Sequence, residues 1–193
     1  VTDEGLIALA GASIRVAVDA EGTSDPPGRA GGIVGWAISG LAGLFSAASV
    51  PDSGTQGTEN AGGSRVGRST AQIRIDGLVT EAVDALGLHQ VEHPLGASSL
   101  DHVVVLTSDL ERTSESIASA TGCELKRIRE IGAMRQGFHR IGRGGLIVEL
   151  VERPDVPVGP ATFWGLVVNV DDLDAACELI GSDRVSSPKD AVQ

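Results

Sequence analysis

The order of strand-like and helix-like segments in its second half constrains the fold of this chain more than any other feature. A buried, β-branched strand is predicted at Leu100–Leu106, and a helix capped by Ser108 or Asp109 follows it and ends at Gly122. Three strands are then predicted at 124–131, 137–141 and 146–151, and an apolar strand at 163–170 with a helix through Ile180 restarts the cycle. One strand, one helix and three strands therefore form a unit.

The first half has a looser pattern of the same kind. Its predicted strands are 5–10, 13–20, 33–38, 71–75 and 79–83, with a helix near 41–48. Asp76-Gly77 between the last two strands is a common hairpin signal. The Gly-, Ser- and Thr-rich segment 51–70 predicts a long flexible loop.

Composition limits the possible partners. The chain has 193 residues, of which 41% are hydrophobic, enough for one large domain or two small ones, and its formal net charge is −11. Nucleic acid or an anionic membrane would be repelled, so a small neutral or chelating ligand is favoured.

The uncharged stretch Ala30–Val50 is about long enough to span a bilayer as a helix. Its glycines and serines weaken that interpretation, and a buried strand followed by a core helix gives the same hydropathy. Cys123 and Cys177 form no CxxC motif and are interpreted as buried free thiols. With no leader pattern at the acidic start, a cytoplasmic location is predicted.

Two parts of the chain also match one another in strand, turn and strand pattern. Residues 5–18 align with 137–150, and further along Gly35 falls opposite Gly165, which suggests a duplicated unit. In this alignment Ala17 stands opposite Glu149.

The motifs Leu100-Asp-His102-Val-Val-Val-Leu, Leu146-Ile-Val-Glu149-Leu and Val168-Asn-Val-Asp-Asp172 resemble those of the vicinal-oxygen-chelate superfamily, which includes glyoxalases, extradiol dioxygenases and bleomycin-resistance proteins. The resemblance implies an α+β fold of paired βαβββ modules, with a curved, mainly antiparallel sheet and helices outside. It implies a degenerate module at 1–96, and a glyoxalase-like module at 97–193 followed by the start of a further, incomplete module.

The same resemblance implies a metal pair formed by His102 and Glu149. A divalent ion such as Zn, Ni, Mn or Fe on these ligands would act as a Lewis acid on a substrate oxygen. The positions expected to supply the other two ligands hold Gly165 and Ala17, so the site is incomplete by this alignment.

Further side chains are candidates for the same cleft. His139 is a candidate third ligand or base beside Glu149, which is itself a catalytic candidate, or it is a core histidine. Arg135, Phe138 and Trp164 are candidate substrate contacts, and the aromatics are equally explained as core residues. His89 and His93 lack the glutamate of an HExxH motif and are interpreted as surface residues.

Three hypotheses follow. The first is a metal-dependent lyase, isomerase or dioxygenase acting on a small oxygenated substrate. The second is a metal-free module of the bleomycin-resistance type that binds a small molecule. The third is a degenerate module whose own side chains fill the cleft. The last module stops after one strand and one helix, so either the chain is a fragment, or the N-terminal strands complete the sheet within one chain or across a homodimer.

Overall fold

A computed structural model describes residues 6–9, 12–17, 32–39, 71–83, 94–141 and 145–190 of the chain. These ranges contain ten strands, which form two five-stranded sheets, and two helices. This combination confirms the α+β class. The elements of the first sheet are β1 (Leu6–Leu9), β2 (Ala12–Ala17), β3 (Gly32–Ser39), β4 (Ala71–Ile75) and β5 (Leu78–Val83). Those of the second half are β6 (Ala97–Thr107), α1 (Leu110–Thr121), β7 (Arg127–Ile131), β8 (Met134–Ile141), β9 (Leu146–Glu152), β10 (Thr162–Val170) and α2 (Leu173–Ile180).

The second sheet contains the predicted βαβββ unit. Its strand order is β10-β6-β9-β8-β7, and β6 runs parallel to β9 while the other neighbours are antiparallel. The helix α1 connects β6 to the hairpin strands that return the chain to β9. β10 pairs with the free side of β6, so the strand that restarts the cycle belongs to the same sheet.

The first sheet repeats part of this arrangement. Its order is β1-β2-β3-β5-β4, and β3 runs parallel to β5 as β6 does to β9. The strands β3, β5 and β4 therefore correspond to β6, β9 and β8. The β1-β2 hairpin pairs with the outer side of β3, which is the place that β10 takes beside β6.

Local capping fixes the ends of both helices. Asp109 caps α1 through its carboxylate, which accepts a hydrogen bond from the Arg112 amide at 2.9 Å, and Gly122 ends the helix in the left-handed conformation with φ 68°. Asp172 caps α2 in the same way through the Ala175 amide. The sequence left Ser108 or Asp109 open as the cap of α1, and the structure selects Asp109.

One apolar core joins the two sheets and α1. Trp36 of β3 and Phe163 of β10 meet edge to face with ring centroids 5.3 Å apart, and the Trp36 indole N–H donates a hydrogen bond to the Thr80 hydroxyl at 2.6 Å. The buried members of this core are Trp36, Ile38, Ile75, Leu78, Val103, Val105, Leu110, Ile117, Ile141, Leu146, Val148, Leu150 and Ala161. The strand predicted at 33–38 is therefore a buried core strand.

The β4-β5 hairpin is a second link between the halves of the chain. Asp76 and Gly77 both have positive φ, 45° and 93°, as the Asp-Gly signal predicts for a tight two-residue turn. The Asp76 carboxylate accepts hydrogen bonds from the Arg112 guanidinium and the Thr113 hydroxyl, and its carbonyl accepts one from the Ala161 amide. The turn is thereby bound to the first turns of α1.

We expect the Asp76→Asn variant to lower the free energy of unfolding by about 2 kcal/mol, because it removes the charge-assisted bonds to Arg112 and Thr113 while asparagine still tolerates positive φ. Urea denaturation measures the change. The matched control is Asp183→Asn, whose carboxylate is 82% exposed and 4.0 Å from Arg184, and which should cost less than about 0.5 kcal/mol. Equal losses in the two variants would contradict the role assigned to Asp76.

Several sequence predictions fall outside the described residues. They are the helix near 41–48, the loop 51–70, His89 with His93, and three glycine-turn residues, 142–144. For the part of the chain that is described, no helix has the length and apolar character needed to cross a membrane.

Candidate functional site

The candidate site lies on the face of the second sheet that α1 does not cover, called here the site face. His102 and Val104 of β6 project to this face, and the parallel register pairs Val104 with Glu149 of β9. The opposite face carries the core residues that pack against α1. The alternation of strand side chains therefore brings His102 and Glu149 together, as the sequence predicted.

Both ring nitrogens of His102 meet a carboxylate. Nε2 lies 3.2 Å from Glu149 Oε2, and Nδ1 lies 2.7 Å from Asp101 Oδ2. The hydrogen bond with Glu149 raises the pKa of His102 above its ordinary value, aided by Asp101 and opposed by burial. Gln136 of β8 donates from its amide to the other oxygen of Glu149. These four side chains form one hydrogen-bonded row.

The chemistry of this row fits a divalent metal ion. An imidazole nitrogen and a carboxylate oxygen are donors that zinc, iron and nickel accept, and Asp101 would orient the His102 ring in the way that outer carboxylates orient metal-binding histidines. In number the donors fall short, since among the described residues no three His, Cys, Asp or Glu side chains converge. The amide oxygen of Gln136 would need a flip of its side chain to join them.

The first sheet has a corresponding position that the sequence alignment placed elsewhere. Ala17 pairs with Gly32 and lies in β2, which takes the place of β10 rather than that of β9. Its assignment as the counterpart of Glu149 is therefore wrong by strand topology. The strand that corresponds to β9 is β5, in which Glu81 pairs with Ala37 of β3.

His139 projects to the other face of the sheet. It pairs in register with Val148, its side chain is 1% exposed, and its ring contacts the Cys123 carbonyl at 2.9 Å and the Ser114 hydroxyl at 3.0 Å. Burial lowers its pKa. Because the carbonyl accepts from Nδ1–H, Nε2 accepts from Ser114, and both nitrogens are occupied. The His139 side chain does not share the face of Glu149, and the core interpretation describes it.

Arg135 also lies on the α1 side. Its guanidinium binds Glu111 of α1 and Glu152 of β9, and the hydrogen bond to Glu111 raises the pKa of Arg135. The same contact lowers the pKa of Glu111. The expectation that Arg135 contacts a substrate in the cleft is corrected accordingly, because these carboxylates hold it against the helix.

The two candidate aromatics differ in position. Phe138 pairs in register with Glu149 and projects to the site face beside it. Trp164 lies in a bulge of β10 and is 59% exposed. The adjacent Gly165 pairs with Val104, and a Cβ added there would meet no atom of the described residues within 4 Å. Space is therefore open on the β10 side of the site.

Other residues of the site were missed by sequence reasoning. A cleft of ≈ 460 Å³ is lined by Lys126, Arg127, Phe138, His139, Arg140 and Ile147. Arg127 and Arg140 share the face of Glu149 through the register of β7, β8 and β9. Alternation along β8 relates Arg140 and Gln136 to Phe138, so placing Phe138 on the site face would have found them.

Comparison with known proteins gave matches to solved structures. Neither a protein-family model nor a curated protein matches the chain. Methylmalonyl-CoA epimerase from Mycobacterium tuberculosis matches with 19% identity and a TM-score of 0.40, over 49% of this chain and 69% of the epimerase. A mutant of 4-hydroxymandelate synthase from Streptomyces coelicolor matches with 23% identity and a TM-score of 0.41, over 56% and 41% of the two chains.

A third match, with 16% identity and a TM-score of 0.43, is the halotolerant catechol dioxygenase BphC, over 91% of this chain and 66% of the dioxygenase. All three are members of the vicinal-oxygen-chelate superfamily that the sequence resembles. The chain spans less than half of the synthase and about two thirds of the other two. The fold assignment rests on the strand order and register described above.

Proposed function

We propose that this chain is a vicinal-oxygen-chelate enzyme in which His102 and Glu149 bind a divalent metal ion that acts on a small oxygenated substrate. The observation that supports this proposal is the Asp101, His102, Glu149 and Gln136 row on the site face. Lyase, isomerase and dioxygenase chemistry all remain within this class. The activities of the matched proteins do not favour any one of these three reactions for this chain.

When bound, such an ion would polarise a carbonyl or enediolate oxygen of the substrate. The chain's own residues would have three tasks. His102 and Glu149 would hold the ion, Asp101 would fix the ring orientation of His102, and Gln136 would hold the second oxygen of Glu149. Phe138, next to Glu149 in register, would cover the apolar part of the substrate.

A second function is favoured by a different feature of the same row. Since both His102 nitrogens already have carboxylate partners, the row is satisfied without an ion, and its position beside a cleft also suits a metal-free module that binds a small molecule. We propose this bleomycin-resistance-like binding function as the alternative.

The remaining assignments are also proposals. We propose modules at 1–96 and 97–193, supported by the corresponding strand orders of the two sheets. A homodimer is supported by β10, which forms the edge of its sheet and exposes Trp164 and Val167. A cytoplasmic location is supported by Cys123 and Cys177, which are both unpaired thiols.

The first test is metal content after equilibration with nickel, zinc, manganese or ferrous ions. We expect about one ion per chain in the native protein and a loss of at least tenfold in metal affinity in His102→Ala and Glu149→Ala, because each variant removes one of the two donors. Elemental analysis after gel filtration measures the content, and titration measures the affinity.

The control variant is Glu178→Ala, on the exposed surface of α2, which should bind metal as the native protein does. Absence of stoichiometric metal in the native protein would contradict the enzyme proposal and favour the metal-free binding function. Metal retained in both site variants would place the ion elsewhere and contradict the assignment of His102 and Glu149.

A further inference from the structure

Two rows of side chains run across the site face from the His102–Glu149 pair towards the outer strands. In one row, register pairs His102 with Ile147 and Ile147 with Arg140. In the other row, it pairs Glu149 with Phe138 and Phe138 with Arg127. Each row therefore begins at a polar residue of the candidate metal pair, continues with an apolar side chain and ends at an arginine.

The outer ends of both rows line one cleft. Phe138 and Ile147 form its apolar part, and Arg127, Arg140 and Lys126 lie around them, in a volume of ≈ 460 Å³. A volume of this size accommodates a small organic molecule. The cleft therefore combines an apolar surface with three positively charged side chains.

The charges of these three residues are not neutralised within the described part of the chain. Arg112, Arg135 and Arg153 each bind a carboxylate, but the structure records no ion pair for Lys126, Arg127 or Arg140. Three unpaired cations at one cleft create a local positive potential that attracts an anion.

We propose that the ligand of this protein is an elongated organic acid whose carboxylate or phosphate is bound by Arg127 and Arg140, with Lys126 beside them. Its apolar middle lies on Phe138 and Ile147, and its oxygenated end reaches His102 and Glu149. Two strand spacings separate the Cα atoms at the two ends of each row, which is about 10 Å. The inference deepens the proposed function and rests on it for the oxygenated end.

The positions of the arginines suit this role. Arg127 pairs with Phe138 from the neighbouring strand, and Arg140 lies two residues beyond Phe138 in β8, so both are next to Phe138 on the site face. An arginine fork can donate two parallel hydrogen bonds to a carboxylate or phosphate. A neutral ligand of the same shape would leave the arginines solvated and gain only the apolar contact. The cleft therefore selects for a negative charge at the end remote from Glu149.

The test compares 3-(3,4-dihydroxyphenyl)propionate with 4-propylcatechol, which has the same ring and nearly the same side chain without the carboxylate. We expect the propionate to bind at least tenfold more tightly by titration calorimetry. Arg127→Gln and Arg140→Gln should each reduce that preference about tenfold or abolish it. Arg184→Gln, which removes an equal charge from a side chain that is 77% exposed, should retain it.

The same comparison is repeated with chelator and with 3-phenylpropionate, which has the carboxylate but no catechol oxygens. Binding of 3-phenylpropionate that depends on Arg127 and Arg140 would support the anion subsite even if no metal binds and the enzyme proposal fails. Equal affinity of the two catechols, or a preference that survives in the double variant, would overturn the anion subsite even if metal binds to His102 and Glu149.

Discussion

The Gly77→Ala variant should be less stable than the native protein by about 3 kcal/mol, and its thermal midpoint should fall by about 10 °C. Gly77 has φ 93°, a backbone conformation that L side chains rarely adopt, and a Cβ added there would lie 2.5 Å from the Pro160 Cβ. Backbone strain and overpacking each cost about 1–3 kcal/mol. Because Asp76 is the neighbouring residue, a shifted turn would also weaken the link to Arg112.

Gly159→Ala is the matched control. Gly159 directly precedes Pro160, and its φ is not positive. A Cβ added there would meet no atom within 4 Å among the residues that the structure describes. We expect its free energy of unfolding to lie within about 0.5 kcal/mol of the native value. Similar stabilities of the two variants in thermal and urea unfolding would contradict the packing of the hairpin against residues 160–161.

The His139→Ala variant should lose about 3 kcal/mol of unfolding free energy at pH 8. The substitution opens a cavity in the core and leaves the Cys123 carbonyl and the Ser114 hydroxyl without their buried partner. Urea denaturation measures the loss. His102→Ala, which removes a side chain that is 22% exposed on the site face, should cost less than half as much.

The same variant should also change the pH dependence of stability. Burial holds the pKa of folded His139 below its ordinary value of 6.5, so the unfolded chain binds more protons as the pH falls past 6.5. The native protein therefore loses stability on the acid side, by up to about 1.4 kcal/mol per pH unit from this group. The pKa of His102 is shifted in the opposite direction. Because His102 is present in both proteins, its effect cancels when the His139→Ala curve is subtracted from the native curve, and the difference gives the contribution of His139.

A native and a variant curve that run parallel from pH 8 to pH 5 would contradict the buried neutral state of His139. A variant that fails to fold at low pH can still be compared with the native protein at pH 8. At pH 8 the difference in unfolding free energy reports only the new cavity and the lost hydrogen bonds.

The βαβββ unit could be predicted because it depends on local signals. Alternation sets which side chains of one strand share a face, and a helix connection predicts a parallel pair of strands. The order β6, α1, β7, β8, β9 therefore followed from the sequence pattern. His102 and Glu149 came from the superfamily resemblance, and parallel register is what brings them within 3.2 Å.

The faces of the other candidates could not be fixed in this way. Phe138 and His139 are consecutive in β8, so they must project to opposite faces, and only the position of α1 decides which one lies on the site face. The counterpart of Glu149 in the first half depends on β3 pairing with β5 rather than on the alignment of strands before β3. Such long-range pairing leaves no local signal in the sequence.

The parallel pairing of β6 with β9 also determines when the candidate site can form. Hairpins such as β7-β8 and β8-β9 close over short loops, whereas the pairing of β6 with β9 closes a long loop that contains α1, β7 and β8. We therefore expect His102 and Glu149 to come together late in the assembly of the module. A ligand that bridges them binds only the completed module, and should slow unfolding without accelerating the formation of the hairpins.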